Sequence, residues 1–130
     1  MVETKQTDSA SEQDRRLLAT AVFRLFDHWH LTQSEQCSLL GLSAGQQDDL
    51  EAMRDSGLLS PAPAIAERTR ALLRIYRYLG MVFTQNYDLA RGWMMTSNPR
   101  LDGDSPFEKI RKKGDAGIRA VTNLLEEQLF

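Results

Sequence analysis

Apolar residues near the start of the chain recur at the spacing of one face of an α-helix. Four of them share a single stripe: Leu18, Val22, Leu25 and Trp29. Their intervals of four, three and four residues predict an amphipathic helix over about 12–29. The preceding residues, 1–11, are polar and contain few apolar side chains. They are therefore predicted to form a disordered tail.

Two further helices are predicted from their capping residues. The pair Thr32 and Glu35 forms a capping box, which starts a second helix that ends at Gly41. A similar pattern from Ser43 starts a third helix that ends at Gly57. Because only short turns separate these helices, we expect the three to pack against one another.

A long helix is predicted after the proline-rich turn at 61–63. Proline fits the first turn of a helix, so the helix begins at about Pro63. Its apolar positions are Leu72, Ile75, Tyr76, Leu79 and Phe83. Gly80 is the expected point of close packing on this helix. The turn also marks the boundary between a module over 12–60 and a helical domain over 61–130.

The remaining chain predicts three shorter helices. One spans 87–95, and another has Ser105 as its cap and Pro106 in its first turn. The latter ends at Gly114, and Asp115 then caps a final helix. No stretch alternates polar and apolar residues with period two. The fold class is therefore all-α.

Composition excludes several broad classes. The 42% hydrophobic and 26% charged fractions are ordinary for a soluble globular protein. Every apolar run is far shorter than the ~20 residues of a membrane span. The polar start lacks the apolar segment of a signal peptide. The single cysteine, Cys37, has no disulfide partner and is expected to be a buried, reduced thiol. Together these features predict a cytoplasmic protein.

Residues 32–50 have the spacing of a helix-turn-helix, with small Cys37 at the helix crossing and Gly41 in the turn. The candidate DNA-binding residues are Gln33, Ser43, Gln46, Gln47 and Arg54. However, residues 43–56 contain four acidic side chains and one basic, a balance of −3, and residues 1–60 contain ten acidic and five basic, a balance of −5. Such a surface is repelled by the phosphate backbone. Two interpretations of this module therefore remain: a packing module that does not bind DNA, and a DNA-binding helix-turn-helix.

The basic residues follow in the next segment. Residues 61–100 carry six basic and two acidic side chains, a balance of +4. Arginines at 68, 70, 74 and 77 fall in the predicted long helix. They could contact phosphates if they share the face of the helix-turn-helix that would meet DNA.

Catalytic and metal-binding motifs are not recognised in the sequence. His28 and His30 point apart on a helix, and no third histidine accompanies them. The run from Asp102 to Asp104 lacks the further ligands of a calcium loop. No serine, cysteine or histidine stands in a nucleophile motif, and no glycine-rich phosphate loop occurs. We expect no enzyme, no cofactor, no metal and no small-molecule substrate.

The predicted long helix carries apolar residues on more than one face, which is more than one intramolecular stripe needs. This pattern predicts a homodimer with the helix in or near the seam. The residues expected there are Leu72, Tyr76, Leu79 and Phe83.

An ordered set of residues between 93 and 125 resembles the toxin-binding region of the Xre/MbcA/ParS antitoxin family. The matching positions are Trp93, Pro99, Leu101, Gly103, Pro106, Gly114, Val121 and Leu125, with Arg74 in the preceding long helix. The chain departs from the family pattern at Asp102, where a second glycine is usual, and at Ile110, where leucine is usual. It also lacks the terminal glycine that the family often has.

The resemblance implies an antitoxin of a type II toxin–antitoxin pair. Its implied partner is a RES-domain toxin that degrades NAD, whose active site the antitoxin covers through a toxin-binding domain at 61–130. It further implies autoregulation of the operon. The −5 balance of residues 1–60 predicts that any binding of operator DNA by the protein alone is weak. The alternative is a stand-alone helix-turn-helix transcriptional regulator.

Twelve residues are candidates for toxin contact: Leu101, Asp102, Gly103, Asp104, Lys112, Lys113, Asp115, Arg119, Glu126, Glu127, Leu129 and Phe130. A pocket that holds a pyrophosphate presents donors aimed at negative charge. The side chains of Glu126 and Glu127 and the α-carboxylate of Phe130 are therefore expected to take the place of phosphates, while apolar tail residues exclude water. An ordinary frayed helix end is the open alternative.

Overall fold

The computed structural model describes the backbone of residues 2–130 and the side chains of residues 11–43 and 45–130. Within this part the chain folds into seven α-helices without a β-strand, which confirms the all-α prediction. The helices are α1 (Val2–His28), α2 (Gln33–Leu40), α3 (Gln47–Ser56), α4 (Pro63–Val82), α5 (Tyr87–Met95), α6 (Pro106–Lys113) and α7 (Asp115–Leu129). Short 3₁₀ turns, Ala44–Gln46 and Pro99–Leu101, precede α3 and α6.

The start of α1 differs from the prediction. The helix begins at Val2 rather than at about residue 12. No proline or glycine occurs between these two positions to interrupt the backbone. The tail predicted for 1–11 stays a prediction, because the side chains of residues 1–10 lie outside the described residues. The predicted stripe is confirmed: Leu18, Val22, Leu25 and Trp29 are all buried.

The capping residues act largely as their sequence indicates. The hydroxyl of Thr32 accepts a hydrogen bond from the backbone N–H of Glu35, and Gly41 ends α2 in the left-handed conformation. Ser43 and Gln46 form the second capping box, but a 3₁₀ turn intervenes and α3 begins at Gln47. The last capping prediction was wrong. Asp115 is the first residue of α7, and Gly114 occupies the cap with φ 58° and ψ −127°.

Helix α4 lies at the centre of the molecule and packs against both α1 and α7. Its side chains at Leu72, Ile75 and Leu79 have no exposed surface. The buried cluster that they join extends from α1 through α7. It therefore crosses the predicted boundary at 60/61 without a break. Near this boundary α1 is also tied to residue 59, because the Nε of Arg15 donates to the carbonyl of Leu59 at 2.7 Å.

The expected close approach at Gly80 was wrong, and Gly117 has that role. A β-carbon added at Gly80 would meet no atom within 4 Å. One added at Gly117 would stand 2.2 Å from the backbone oxygen of Lys109. The crossing of α6 and α7 is therefore set by the missing side chain at Gly117.

We predict opposite effects for alanine at these two glycines. Gly117→Ala forces α6 and α7 apart and should lower the free energy of unfolding by about 1–3 kcal/mol or more. The matched control, Gly80→Ala, adds a side chain in open space within a helix and should raise it by roughly 0.5–1 kcal/mol. Urea denaturation followed by circular dichroism measures both. Equal effects of the two substitutions would contradict the assigned packing.

Candidate functional site

The turn between α5 and α6 is held closed by its own backbone. The carbonyl of Asn98 accepts hydrogen bonds from the N–H groups of Leu101 at 2.9 Å and of Gly103 at 3.1 Å. The N–H of Asn98 donates in turn to the carbonyl of Asp104 at 3.0 Å. Leu101 is only 4% exposed and anchors this turn in the core. A partner can therefore reach the turn but not the Leu101 side chain that was predicted to contact it.

The backbone conformation at residue 102 explains why aspartate can replace the glycine that is usual there. Its φ is 60°, and that of the adjacent Gly103 is 87°, so two consecutive residues adopt the left-handed conformation. Glycine enters this region without steric cost, and aspartate is among the few other residues that tolerate it. The substitution thus keeps the turn and adds a carboxylate to its exposed tip.

Both carboxylates of the turn are paired with lysines of α6. Asp102 lies 3.3 Å from the Nζ of Lys109, and Asp104 lies 2.8 Å from the Nζ of Lys112. The hydrogen bond from Lys112 is the main reason that the pKa of Asp104 is lowered. Lys113 is exposed at the end of the same helix. We refer to the turn and α6, residues 98–113, as the α6 corner.

The end of α7 is helical up to Leu129 and is held against neighbouring elements. The hydroxyl of Tyr78 donates to Glu126 at 2.8 Å, and this bond is the main reason that the pKa of Tyr78 is raised. Glu127 forms an ion pair with Arg100. Phe130 is 82% exposed and meets the Tyr78 ring edge-on, at 6.0 Å between ring centroids. Two of the three carboxylates expected to mimic phosphate, those of Glu126 and Glu127, are thus engaged within the chain.

A groove of about 310 Å³ separates α4 from α7. Its lining includes Ala71 and Ile118 below, with Arg74, Arg119 and Glu126 at the rim. The structure therefore divides the predicted toxin-binding residues between two places. Asp102, Gly103, Asp104, Lys112 and Lys113 belong to the α6 corner, whereas Asp115, Arg119 and Glu126 line the groove.

Arg68 connects the groove with the helix-turn-helix. Its Nε lies 3.0 Å from a carboxylate oxygen of Asp115, and its Nη1 donates to the carbonyl of Leu39 in α2 at 3.2 Å. The guanidinium also lies against two turn glycines, since a β-carbon at Gly41 would stand 3.2 Å from it and one at Gly114 3.3 Å. The side chain is only 14% exposed. We refer to these contacts as the Arg68 clasp.

Sequence reasoning missed the clasp, along with Tyr78 and Arg100. Arg68 was grouped with three other arginines as a source of phosphate contacts. It does not share their exposed face, because it points inward to Asp115. Nothing near residue 68 in the sequence indicates its partners, which lie 29 and 47 positions away.

Most candidate DNA-binding residues are engaged within the helix-turn-helix. The side chain of Gln33 donates to Glu51 at 3.0 Å. The side chain of Gln46 accepts a hydrogen bond from the N–H of Ser43 and donates one to Asp49. Gln47 is partly exposed at the start of α3.

Arg54 is held by three groups of its own module. It donates to Gln36 at 3.1 Å, lies 3.5 Å from Asp27, and stacks over the ring of Phe23 at 4.4 Å from its centroid. The lone basic side chain of α3 is therefore not free to contact a DNA phosphate.

Two of the four residues predicted in a dimer seam cannot reach a second copy in this fold. Leu72 and Leu79 are fully buried in the chain's own core. Phe83 and Tyr76 are partly exposed. Tyr76 contacts the ring of His28 and lies in a stack with Tyr87; burial is the main reason that its pKa is raised to about 12.

The thiol of Cys37 is 3% exposed, and burial raises its pKa. No helix in the described part of the chain is both long and apolar enough to cross a membrane. Among the described residues, no group of three or more histidine, cysteine or acidic side chains is arranged to hold a metal ion.

Comparison with known proteins gives two family matches and one relative. Residues 8–80 match the antitoxin Xre-like helix-turn-helix domain, and residues 71–128 match the antitoxin Xre/MbcA/ParS C-terminal toxin-binding domain. The two matches overlap within α4. The chain is also 30% identical over 130 residues to the uncharacterized protein y4oB of Sinorhizobium fredii, which covers 98% of each chain.

We predict that the Arg68 clasp stabilises the fold more than an exposed ion pair does. Arg68→Ala removes charge-assisted hydrogen bonds from a mostly buried site and should lower the free energy of unfolding by about 1.5–3 kcal/mol. Arg68→Lys should recover only part of this loss, because an ammonium cannot reproduce the forked geometry. The control is Arg70→Ala, which breaks an exposed pair with Asp14 and should cost less than about 1 kcal/mol. Urea denaturation giving equal losses at 68 and 70 would contradict the clasp.

Proposed function

Because the chain belongs to the Xre/MbcA/ParS antitoxin family, we propose that it is the antitoxin of a type II toxin–antitoxin pair. Its proposed target is a RES-domain toxin that degrades NAD, and it acts in the cytoplasm as a binding protein. The observation that carries the proposal is the match of residues 71–128 to the toxin-binding domain. These residues form the α6 corner, the α7 wall of the α4–α7 groove and part of its α4 wall.

The chemistry of this surface supports a polar protein partner. Ion pairs cover the α6 corner, with Asp102 on Lys109, Asp104 on Lys112 and Arg111 on Glu108. Exposed pairs contribute little stability to a monomer, so a partner can exchange them at small cost. Charged groups held in fixed positions favour specificity and fast association over raw affinity.

We further propose that the end of α7 covers the toxin's active site. Glu126 and Glu127 would leave Tyr78 and Arg100 and meet the donors that otherwise hold the pyrophosphate of NAD. Leu129 and the exposed Phe130 would exclude water from the pocket. The bonds to Tyr78 and Arg100 hold the segment helical before binding, which lowers the entropy lost on association.

Co-expression with the neighbouring open reading frame tests the proposal. We expect the two proteins to co-purify and the complex to consume NAD more slowly than the toxin alone. Truncation after Leu125 should abolish inhibition while binding persists. The matched control, Tyr78→Phe, removes only the hydrogen bond to Glu126, so it should weaken binding slightly and still inhibit fully at saturating antitoxin.

Two results would count against these proposals separately. If no stable complex with a RES-type protein forms, the antitoxin assignment to that toxin class is wrong. If the truncated protein inhibits fully, the tail is not the blocking element, and the interface shifts to the α6 corner and the helix from Asp115.

Self-association and autoregulation belong to the same proposal. The match of residues 8–80 to an antitoxin helix-turn-helix favours an operator-binding role. The −3 balance of α3 opposes it for the protein alone. We propose that the chain forms a homodimer and that DNA binding is weak until a partner joins. A stand-alone regulator is the competing function, favoured by the same helix-turn-helix match.

A gel shift with the protein's own promoter separates these two functions. The isolated protein should bind no tighter than non-specifically, with a Kd of roughly 10⁻⁶ M or weaker at physiological salt. The double substitution Asp48→Asn with Asp55→Asn should strengthen DNA binding, because it reduces the repulsion between α3 and the phosphate backbone. The control is Glu12→Gln with Asp14→Asn, which makes the same charge change on α1. Tight, sequence-specific binding by the unmodified protein would contradict the charge argument.

A further inference from the structure

The exposed face of α3 is a row of carboxylates. Asp48, Glu51 and Asp55 stand at intervals of three and four residues, so they share one side of the helix. All three are exposed. The basic residue of α3, Arg54, is turned away toward Gln36 and Phe23. This acidic row occupies the face that a DNA-reading helix would present to phosphates.

The exposed face of α4 is a row of arginines. Arg70, Arg74 and Arg77 stand at intervals of four and three residues and are exposed. No acidic residue occurs in α4 after Glu67. Only Arg70 has an acidic partner, Asp14, among the described side chains. Met81, which is 50% exposed, continues the row by one further turn.

The two rows match in length and in spacing. Each spans eight residues, or about 10 Å between its first and last residue at a rise of ~1.5 Å per residue. When the helices run antiparallel, the intervals coincide. Asp48 then faces Arg77, Glu51 faces Arg74, and Asp55 faces Arg70. A parallel arrangement puts the middle pair out of register by one residue.

We propose that the acidic row of α3 in one copy of the chain docks antiparallel on the arginine row of α4 in a second copy. Each copy carries both rows, and a twofold dimer results when both contacts form reciprocally between the same two copies. We assign a second copy as the binding partner because the chain itself carries two exposed rows of opposite charge and matching spacing. The contact covers the exposed face of α3, which agrees with the weak DNA binding proposed for the protein alone.

The inference assigns a surface to the proposed homodimer and differs from the predicted seam. Leu72 and Leu79 lie on the buried side of α4, whereas the arginine row and Met81 lie on its exposed side. It does not depend on the identity of the toxin. Arg74 also lines the α4–α7 groove, so the variant that separates loss of self-association from loss of toxin inhibition is the one on α3, outside residues 71–128.

Charge reversal with complementation tests the proposal. The first variant is Asp48→Lys with Glu51→Lys, and the second is Arg74→Glu with Arg77→Glu. Each variant alone presents like charges at the contact and should be monomeric by sedimentation. An equimolar mixture should regain the dimer. The reversed α3 of the first variant then meets the reversed α4 of the second, and the native α3 of the second meets the native α4 of the first. The wild-type protein should show about twice the mass of the 14.8 kDa chain.

Salt dependence provides a second readout. Raising the salt from about 0.1 M to about 1 M shortens the Debye length from about 10 Å to about 3 Å and should weaken wild-type association by at least roughly tenfold. The control variant, Arg16→Glu with Arg111→Glu, makes the same charge change on α1 and α6 and should remain dimeric. Circular dichroism verifies that every variant stays folded.

Three results would overturn the proposal. A monomeric wild-type protein at both salt concentrations would remove the dimer. A dimeric Arg74→Glu/Arg77→Glu variant, or a mixture that stays monomeric, would remove this contact. If the arginine-row variant keeps its mass but loses promoter DNA or toxin binding, the row serves that other partner.

Discussion

Arg68 makes a polar contact between the two halves of the molecule, which also share one continuous core. Its guanidinium reaches the carbonyl of Leu39 near the end of α2 and the carboxylate of Asp115 at the start of α7. Gly41 and Gly114 leave room for it on either side. Arginine suits this site because its planar group offers several donors in fixed directions. The helix-turn-helix and the partner-binding helices are thereby fixed relative to one another, on top of the core that α4 provides.

Two kinds of charged surface result from this arrangement. Around the α6 corner and the end of α7, acids and bases of the same chain satisfy each other. On α3 and on the exposed side of α4, like charges stand in rows. A mutually paired surface is neutral overall and can exchange partners, whereas an unbalanced row favours a complementary one. The first suits the proposed toxin contact, and the second suits self-association.

The helix-turn-helix illustrates how shape and function separate. Its caps, its turn glycine and its buried Cys37 have the expected positions. The residues that would read bases are nevertheless occupied: Gln33 with Glu51, and Arg54 with Gln36. A match to a DNA-binding module therefore describes the backbone of residues 8–80 better than the chemistry of its surface.

The sequence by itself determined the family, the number of helices and most of their caps. Thr32, Gly41 and Ser105 could be interpreted from sequence because a cap closes its hydrogen bonds within three or four residues. Only the tertiary structure decided which glycine is a close contact, where Arg68 points and which apolar side of α4 is buried. Those outcomes depend on residues far apart in the chain, such as Lys109 beneath Gly117 and Asp115 beside Arg68. No local pattern encodes them, since they exist only once the helices have packed.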